Sequence, residues 1–356
     1  MKKPVYLLSA TILLSLCACG GVNNPDTSKA TGLTTPESSA VEEGVVNVFV
    51  LTGQSNMEGQ TQFGNNYLRN AMQAVQDSGE FEGVSVDDYE MLTTGIETVR
   101  TSYYGCGYGE IYDPKNIHAS NKETPIDGKF ENTRTGMGAK DDRMGPELGA
   151  AYGLRNSPKE GKKIYFIKAG VSGSGFAQSG EDKINWNVEK EQNLYVNHLK
   201  PYTENCLNLI KEEIGEGVKP LIRGFLWMQG ESDSDNAKIP YYADRLNALF
   251  DKFETDFIDY IEDKDKANCA MIDACIYDND GTMWGAQTSQ DLNKVKMDNA
   301  AAHDNVYCIN TSWKIEGGMK LKTGSPGGDF MHYNTESSFR LGLAYADVIL
   351  KNNLLK

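Results

Sequence analysis

The chain is poor in metal-binding side chains and in basic residues. Its 356 residues include four histidines and seven cysteines, and no two cysteines have the C-x-x-C spacing of zinc and redox sites. Lysine and arginine number 35 against 50 aspartates and glutamates, so the formal net charge is −15. Binding of nucleic acid or of an anionic membrane surface requires a basic face instead. We therefore expect no nucleic-acid partner, and a neutral or weakly charged ligand.

Apolar runs of a dozen residues are also missing, except at the N-terminus. In residues 1–19, two lysines follow Met1 and precede roughly a dozen mostly apolar residues, a pattern typical of a signal peptide and too short for a transmembrane helix. The stretch ends in Leu16, Cys17, Ala18 and Cys19, which resembles a bacterial lipobox. We expect an exported protein at the bacterial cell surface or in the periplasm, lipidated on Cys19. An ordinary signal peptide cut nearby is the alternative.

Residues 20–44 contain hardly any large apolar side chain and are rich in Ser, Thr, Pro, Asn and Gly. Such a segment cannot bury enough surface to offset its ordering entropy, so we expect a flexible linker, with the lipid as the sole membrane contact. The cysteines beyond the linker have irregular spacing and predict mostly small buried side chains. They are Cys106, Cys206, Cys269, Cys275 and Cys308. One disulfide, for example between Cys269 and Cys275, stays open.

Five apolar runs predict strands that are buried on both faces. They lie at residues 45–51, 163–170, 221–230, 269–277 and 305–310. Segments with helical periodicity separate them, and alternating strands and helices indicate βαβ units with a parallel sheet. We predict an α/β fold, a three-layer α/β/α sandwich with about five parallel strands.

Residues from about 64 to 143 interrupt this alternation. They are rich in Gly, Tyr, Asn and Asp and have no strong periodicity. A loop of this length inside a compact domain is usually functional or disordered, and the tyrosines favour an ordered flap. We therefore predict an irregular insertion here.

Polar clusters follow the first and second strands, where ligands bind in such sheets. In the first cluster, GQSNM, Ser55 either caps the next helix or is a nucleophile at a tight turn, with its own N–H directed at an oxyanion. In the second, GVSGSG, Gly173 offers a backbone N–H with little steric bulk. That loop lacks the spacing of a nucleotide-binding motif.

A third cluster, WMQGESD, follows the third strand. It is either an acidic helix start, favourable to the helix dipole, or a part of the site. In the second case Gln229 donates to an oxyanion and Glu231 supplies a carboxylate.

A fourth cluster, DFMHYN, precedes the last helical segment. It places Asp329 and His332 on one loop, where the carboxylate can orient the imidazole. The other histidines fit a catalytic base less well. His198 and His303 belong to helical patterns, and His118 lies in the irregular segment.

Taken in order, GQSNM, WMQGESD and DFMHYN resemble the SGNH/GDSL-type hydrolases. More narrowly, they resemble the branch that contains the family six acetylxylan esterases and the sialate O-acetylesterase-like domains. The resemblance covers most of the predicted domain at residues 45–356 and implies the same α/β/α sandwich. It implies that Ser55 is the nucleophile, that His332 is the general base, and that either Asp329 or Glu231 is the acid. The implied oxyanion hole consists of Ser55, Gly173 and Gln229.

The implied reaction removes O-acetyl groups from a carbohydrate, such as acetylxylan, a related glycan or a sialate. It proceeds through an acyl-enzyme, with no metal and no cofactor. Aromatic rings at Trp186, Tyr103, Tyr104 and Tyr108 are then candidate contacts for the sugar.

Three other functions remain open. One is a non-catalytic glycan-binding lipoprotein, and another is an esterase for a lipid or peptidoglycan acyl group. The third is a metallohydrolase that uses residues 278–281, whose DNDG sequence resembles part of a calcium loop but lacks the downstream glutamate.

Overall fold

The structure is a computed structural model, and it describes residues 44–64, 66–104, 129–158, 162–176, 185–262 and 269–355. The predicted leader with Cys19 and nearly all of the linker lie outside these residues. The same holds for Cys106, Tyr108 and His118.

The described residues form nine strands: β1 (Val45–Gly53), β2 (Thr61–Gln62), β3 (Ile96–Tyr103), β4 (Glu131–Thr133), β5 (Arg143–Met144), β6 (Ile164–Lys168), β7 (Lys219–Met228), β8 (Ala270–Ala274) and β9 (Val306–Ile309). Seven of them make one sheet in the order β4-β3-β6-β1-β7-β8-β9, and β2 pairs with β5 in a small ribbon. Neighbours in the large sheet are parallel, except that the edge strand β4 is antiparallel to β3.

Eight α-helices occur in the described residues: α1 (Ser55–Glu58), α2 (Tyr67–Ser78), α3 (Tyr89–Thr94), α4 (Glu147–Leu154), α5 (Lys200–Ile214), α6 (Tyr242–Asp256), α7 (Ala286–Ala302) and α8 (Thr335–Lys351). A π-helical turn, Tyr195–Leu199, leads into α5, and a 3-10 turn, Glu231–Asp233, follows β7. None of the described helices is long and apolar enough to cross a membrane.

Helices cover both faces of the sheet. On one face, Tyr202 of α5 shares a 2.8 Å hydrogen bond with Ser102 of β3. On the other face, Glu147 of α4 pairs at 2.6 Å with Lys168, which ends β6. Successive side chains of a strand point to opposite faces, and Lys168 is one residue beyond the strand partner of Ser102. Helix α8 packs on α4, which completes the predicted α/β/α sandwich.

All five predicted strands are present, but the sheet has seven strands and not about five. The two additional strands, β3 and β4, and the helices α2 and α3 lie in residues 64–143. The prediction of an irregular insertion was therefore wrong for the described part of that segment. Strand β3 has no long apolar run because it buries hydroxyl groups. Thr101 bonds to Thr133 at 2.7 Å, and Ser102 bonds to Tyr202.

The described cysteines are free thiols. The suggested pairing of Cys269 with Cys275 is not formed. Cys275 lies instead beside Cys308 on the neighbouring strand, with the two sulfur atoms 3.8 Å apart. Burial raises the pKa of the Cys206 and Cys269 thiols, so these two side chains act as small buried hydrophobes.

The crossing of α4 and α8 depends on two glycines and generates a stability prediction. A methyl group at Gly342 would lie 2.1 Å from the Pro146 carbonyl oxygen. One at Gly149 would lie 2.1 Å from the Phe339 carbonyl oxygen. We expect Gly342→Ala to lower the free energy of unfolding by about 1–3 kcal/mol, because the helices must separate to admit the methyl group.

Urea denaturation of the wild type and of Gly342→Ala measures this loss of stability. Gly64→Ala is the matched control, because no atom lies within 4 Å of its added methyl group. Equal stability of the two variants would show that the helix crossing is not constrained by backbone contact.

Candidate active site

The first polar cluster is a tight turn between β1 and α1. Gly53 has a φ of +136°, and a methyl group there would lie 2.1 Å from the Met228 carbonyl oxygen of β7. Only glycine allows this close approach. The Gln54 N–H donates to the same carbonyl at 2.9 Å, so the end of β1 is fixed against β7.

Ser55 is the first residue of α1, and its side chain does not cap the helix, because Gln54 occupies the N-cap position. Only 8% of Ser55 is exposed. Among the described residues, neither its hydroxyl nor its backbone N–H has a hydrogen-bond partner. A hydroxyl and an N–H are therefore both available at the tip of β1.

His332 and Asp329 lie on the loop before α8 and form a direct pair. The imidazole Nδ1 is 2.9 Å from an Asp329 carboxylate oxygen. The other oxygen accepts from the N–H groups of Met331 at 2.8 Å and His332 at 2.9 Å. Burial favours the protonated acid, but the bonds from the His332 ring and these N–H groups outweigh it and lower the pKa of Asp329. An ionised carboxylate only accepts, so Nδ1 carries the proton and Nε2 is the free base.

Glu231 bonds to Asn56 and not to the His332 ring. Its Oε1 accepts from the Asn56 side-chain nitrogen at 2.6 Å. The Asn56 side-chain oxygen accepts from the Tyr333 N–H at 3.1 Å. Burial raises the pKa of Glu231, against the opposing effects of its own N–H and of Asn56. Of the two candidate acids, the structure brings Asp329 to the imidazole.

Gln229 does not suit the predicted oxyanion role. It is fully buried, and its side-chain nitrogen donates to Asp233 at 2.8 Å and to the Gln54 side-chain oxygen at 3.1 Å. The amide has two hydrogens, and both are used inside the protein.

Gln54, in the same motif as Ser55, is the better donor. Its oxygen also accepts from the N–H groups of Gly230 and Ser232, both at 3.3 Å, which fixes the orientation of the amide. Its nitrogen has no acceptor among the described residues, although only 3% of Gln54 is exposed.

Gly173 lies in the turn after β6, beside the end of β1. The Val171 N–H donates to the Gly53 carbonyl at 3.0 Å, and Ser174 closes the turn back onto Val171 at 3.3 Å. Gly173 itself has a φ of +71°, which disfavours other residues. The turn therefore reaches the same edge of the sheet as Ser55.

Comparison with known proteins identifies the family. Residues 113–351, more than half of the chain, match the family described as carbohydrate esterase, sialic acid-specific acetylesterase. The chain belongs to this family. It is a carboxylic ester hydrolase, a carbohydrate O-acetylesterase. The matched part contains Gly173, Glu231, Asp329 and His332, and it begins after Ser55.

A solved structure, that of NanS, shares the fold of this esterase. The crystal structure of NanS is 12% identical over 89% of this chain and all of that one, with a TM-score of 0.54. A protein from Arabidopsis thaliana is 16% identical over 86% of this chain and 98% of that one, with a TM-score of 0.47. A carbohydrate acetylesterase from Xanthomonas citri is 16% identical over 86% of this chain and 56% of that one, with a TM-score of 0.43. A search of curated protein sequences found no match.

The predicted sugar contacts of the esterase were wrong for the described residues. Trp186 is fully buried, packs edge-on against Trp227 with ring centroids 5.4 Å apart, and donates to the Ser174 hydroxyl at 2.7 Å. Tyr103 and Tyr104 are buried as well. Buried rings cannot stack on a sugar, so these side chains stabilise the core. The prediction for Tyr108 lies outside the described residues.

Phe330 is the aromatic side chain that the sequence analysis missed. It lies between Asp329 and His332 and is 65% exposed, more than any other large apolar side chain in the described residues. Its position in the DFMH motif was visible in the sequence, but its exposure depends on how the loop folds.

The candidate metal loop supports protein structure instead. The Asp278 carboxylate accepts from the Trp313 N–H at 2.7 Å and from the side chains of Ser312 and Asn293. These bonds tie the segment after β8 to α7 and to the segment after β9.

His198 generates a pH prediction. Burial lowers its pKa to about 4, and its Nε2 lies 3.3 Å from the Ala169 carbonyl oxygen. In the unfolded chain, histidine titrates near pH 6.5, so unfolding takes up a proton between about pH 6.5 and pH 4. Above that pH range, we expect neutral His198 to make its full contribution to the free energy of unfolding. As the pH falls through the range, the free energy of unfolding should decrease by up to about 3 kcal/mol.

The measurement compares wild type with His198→Asn by chemical denaturation at pH 7.5 and pH 4.5. Carboxylates contribute equally to both proteins, so the difference isolates His198. An identical dependence on pH in the two proteins would contradict a buried neutral imidazole.

Proposed function

We propose that this esterase is a serine enzyme that removes acetyl groups from an acetylated poly- or oligosaccharide through an acyl-enzyme. The observation that carries the proposal is the arrangement around Asn56. Its neighbour Ser55 has a hydroxyl with no hydrogen-bond partner among the described residues. The Asn56 side chain binds Tyr333, the residue after His332, whose ring is oriented by Asp329.

In the proposed reaction, His332 Nε2 takes the proton of the Ser55 hydroxyl as the oxygen attacks the acetyl carbonyl carbon. The bond to the sugar oxygen then breaks, and the imidazolium returns the proton to that oxygen. Water, activated by the same Nε2, attacks the acetyl-serine, releases acetate and restores Ser55.

The oxyanion is proposed to accept hydrogen bonds from the N–H groups of Ser55 and Gly173 and from the Gln54 side-chain nitrogen. Gln54 takes the oxyanion role that the sequence predicted for Gln229, because the amide hydrogens of Gln229 have other acceptors. One donor of this kind typically contributes about 3–4 kcal/mol to the stability of the transition state.

The acetyl group is proposed to lie on a glycan such as xylan or on a sialate, with Phe330 as the exposed ring beside the base. The proposal includes export and lipidation on Cys19, which would place the enzyme where extracellular glycans reach it. Acetate release from acetylated xylan, mannan, pectin and O-acetyl sialic acid distinguishes the substrate classes.

Ser55→Ala is the first test. We expect kcat for p-nitrophenyl acetate to fall by more than about a thousandfold, because no other group replaces the attacking oxygen. The fold should be unchanged, since the substitution removes one atom that bonds to no described residue.

Acetate release and thermal unfolding are measured together, with Ser78→Ala at the exposed end of α2 as the control. A folded Ser55→Ala protein with substantial turnover would contradict the serine mechanism. A wild type without any esterase activity would favour the glycan-binding alternative.

Phe330→Ala tests the carbohydrate contact. We expect KM for an acetylated oligosaccharide to rise about fivefold, the effect of losing roughly 1 kcal/mol of aromatic contact. KM for p-nitrophenyl acetate should change little, because that substrate has no sugar ring. Leu350→Ala, at the far end of α8 and 43% exposed, is the control. Equal changes for both substrates would rule out a sugar contact.

A further inference from the structure

We propose that Asn56 and Glu231 form a positioning pair that sets the place of His332 relative to Ser55. This inference rests on the proposed serine mechanism and assigns Glu231 a different task from that of the triad acid. Neither side chain touches the reacting atoms in this scheme. They act through the backbone of the residue that follows the base.

The contacts form one short chain of hydrogen bonds. Glu231 Oε1 binds the Asn56 side-chain nitrogen at 2.6 Å, and the Asn56 oxygen binds the Tyr333 N–H at 3.1 Å. All three residues are buried, with exposures of 3%, 5% and 1%. In such surroundings, an N–H left without an acceptor is destabilising, so the bond to Asn56 favours this position of the loop.

Glu231 gives the chain its direction. Its Oε1 accepts from the NH2 group of Asn56, which holds that group on the Glu231 side and turns the amide oxygen towards Tyr333. Without this acceptor, rotation of the amide would bring its NH2 group to face the Tyr333 N–H, and two donors cannot bond to each other. The pair therefore selects one orientation of Asn56 and, through it, one position of the loop.

Other bonds hold the loop, but they reach different parts of the protein. The Tyr333 carbonyl accepts from Thr61 at 2.9 Å, and its hydroxyl donates to the Cys275 carbonyl at 3.3 Å. The bond from the Tyr333 N–H to the Asn56 oxygen joins the loop to the residue next to Ser55. Errors of about 1 Å between a base and its nucleophile can reduce the rate about a hundredfold.

An exchange of the amide and the carboxylate between positions 56 and 231 tests the pair. Asn56→Asp places a second carboxylate against Glu231 and removes the donor between them. We expect kcat for p-nitrophenyl acetate to fall tenfold to a hundredfold with KM nearly unchanged, because positioning affects the reaction step. Adding Glu231→Gln restores a donor opposite the new carboxylate, and we expect kcat to return to within about threefold of wild type.

Glu231→Gln alone separates positioning from acid catalysis. Its amide oxygen can still accept from Asn56, so we expect a loss of no more than about tenfold. Asp329→Asn, which removes the acid that contacts the imidazole, should lose about ten-thousandfold. Thermal unfolding of every variant checks the fold. If Asn56→Asp does not fold, the comparison of Glu231→Gln with Asp329→Asn decides the question without it.

Recovery in the double variant, together with a mild effect of Glu231→Gln, supports the pair. A Glu231→Gln loss as large as that of Asp329→Asn, or a double variant no better than Asn56→Asp, overturns it. Ser55→Ala is assayed in the same series. Activity of that variant overturns the serine mechanism itself, whereas an inactive Ser55→Ala with no recovery in the double variant overturns only the positioning pair.

Discussion

The hydrogen bonds of the Asn56 side chain connect three distant parts of the chain. Asn56 is 175 residues from Glu231 and 277 residues from Tyr333, and it bonds to both. These partners follow β7 and precede α8, and Asn56 itself follows β1. One buried amide therefore joins the turn that holds Ser55 to the loop that holds His332. We expect the separation of the proposed nucleophile, Ser55, from the proposed base, His332, to depend on this junction.

The junction is supported by a second polar layer at the ends of the strands. The Lys296 ammonium group donates to the Gln229 carbonyl at 2.5 Å and the Ala274 carbonyl at 2.6 Å, and pairs with Asp273 at 2.9 Å. Both ionised side chains are buried. A buried ion pair is tolerated when further hydrogen bonds satisfy its charges, as these carbonyls do. The ends of β7 and β8 are thereby held together, two residues before Glu231.

The sequence predicted those features whose signal is local. Apolar runs located five strands, and the three-residue spacing of Asp329 and His332 located the pair that the structure shows in contact. Features that depend on tertiary burial were missed. Strand β3 buries Thr101, which bonds to Thr133. Trp186 was predicted to contact the sugar and Gln229 the oxyanion, although the fold buries both side chains. Residue type alone could not distinguish a buried, satisfied polar or aromatic group from an exposed one.

The order of the strands explains how Gln54 and Ser55 reach the same edge of the sheet as Gly173 and Glu231, which lie in the matched family region. Strand β1 runs between β6 and β7, parallel to both. The carboxyl ends of parallel neighbours meet at one edge, so Gly173 after β6 and Glu231 after β7 flank Ser55 on its two sides. The turn after the first strand thus contributes Gln54 and Ser55 to the proposed site, whose other groups come from residues more than a hundred positions later. Ser55 is at the centre of this edge because its strand is at the centre of the sheet.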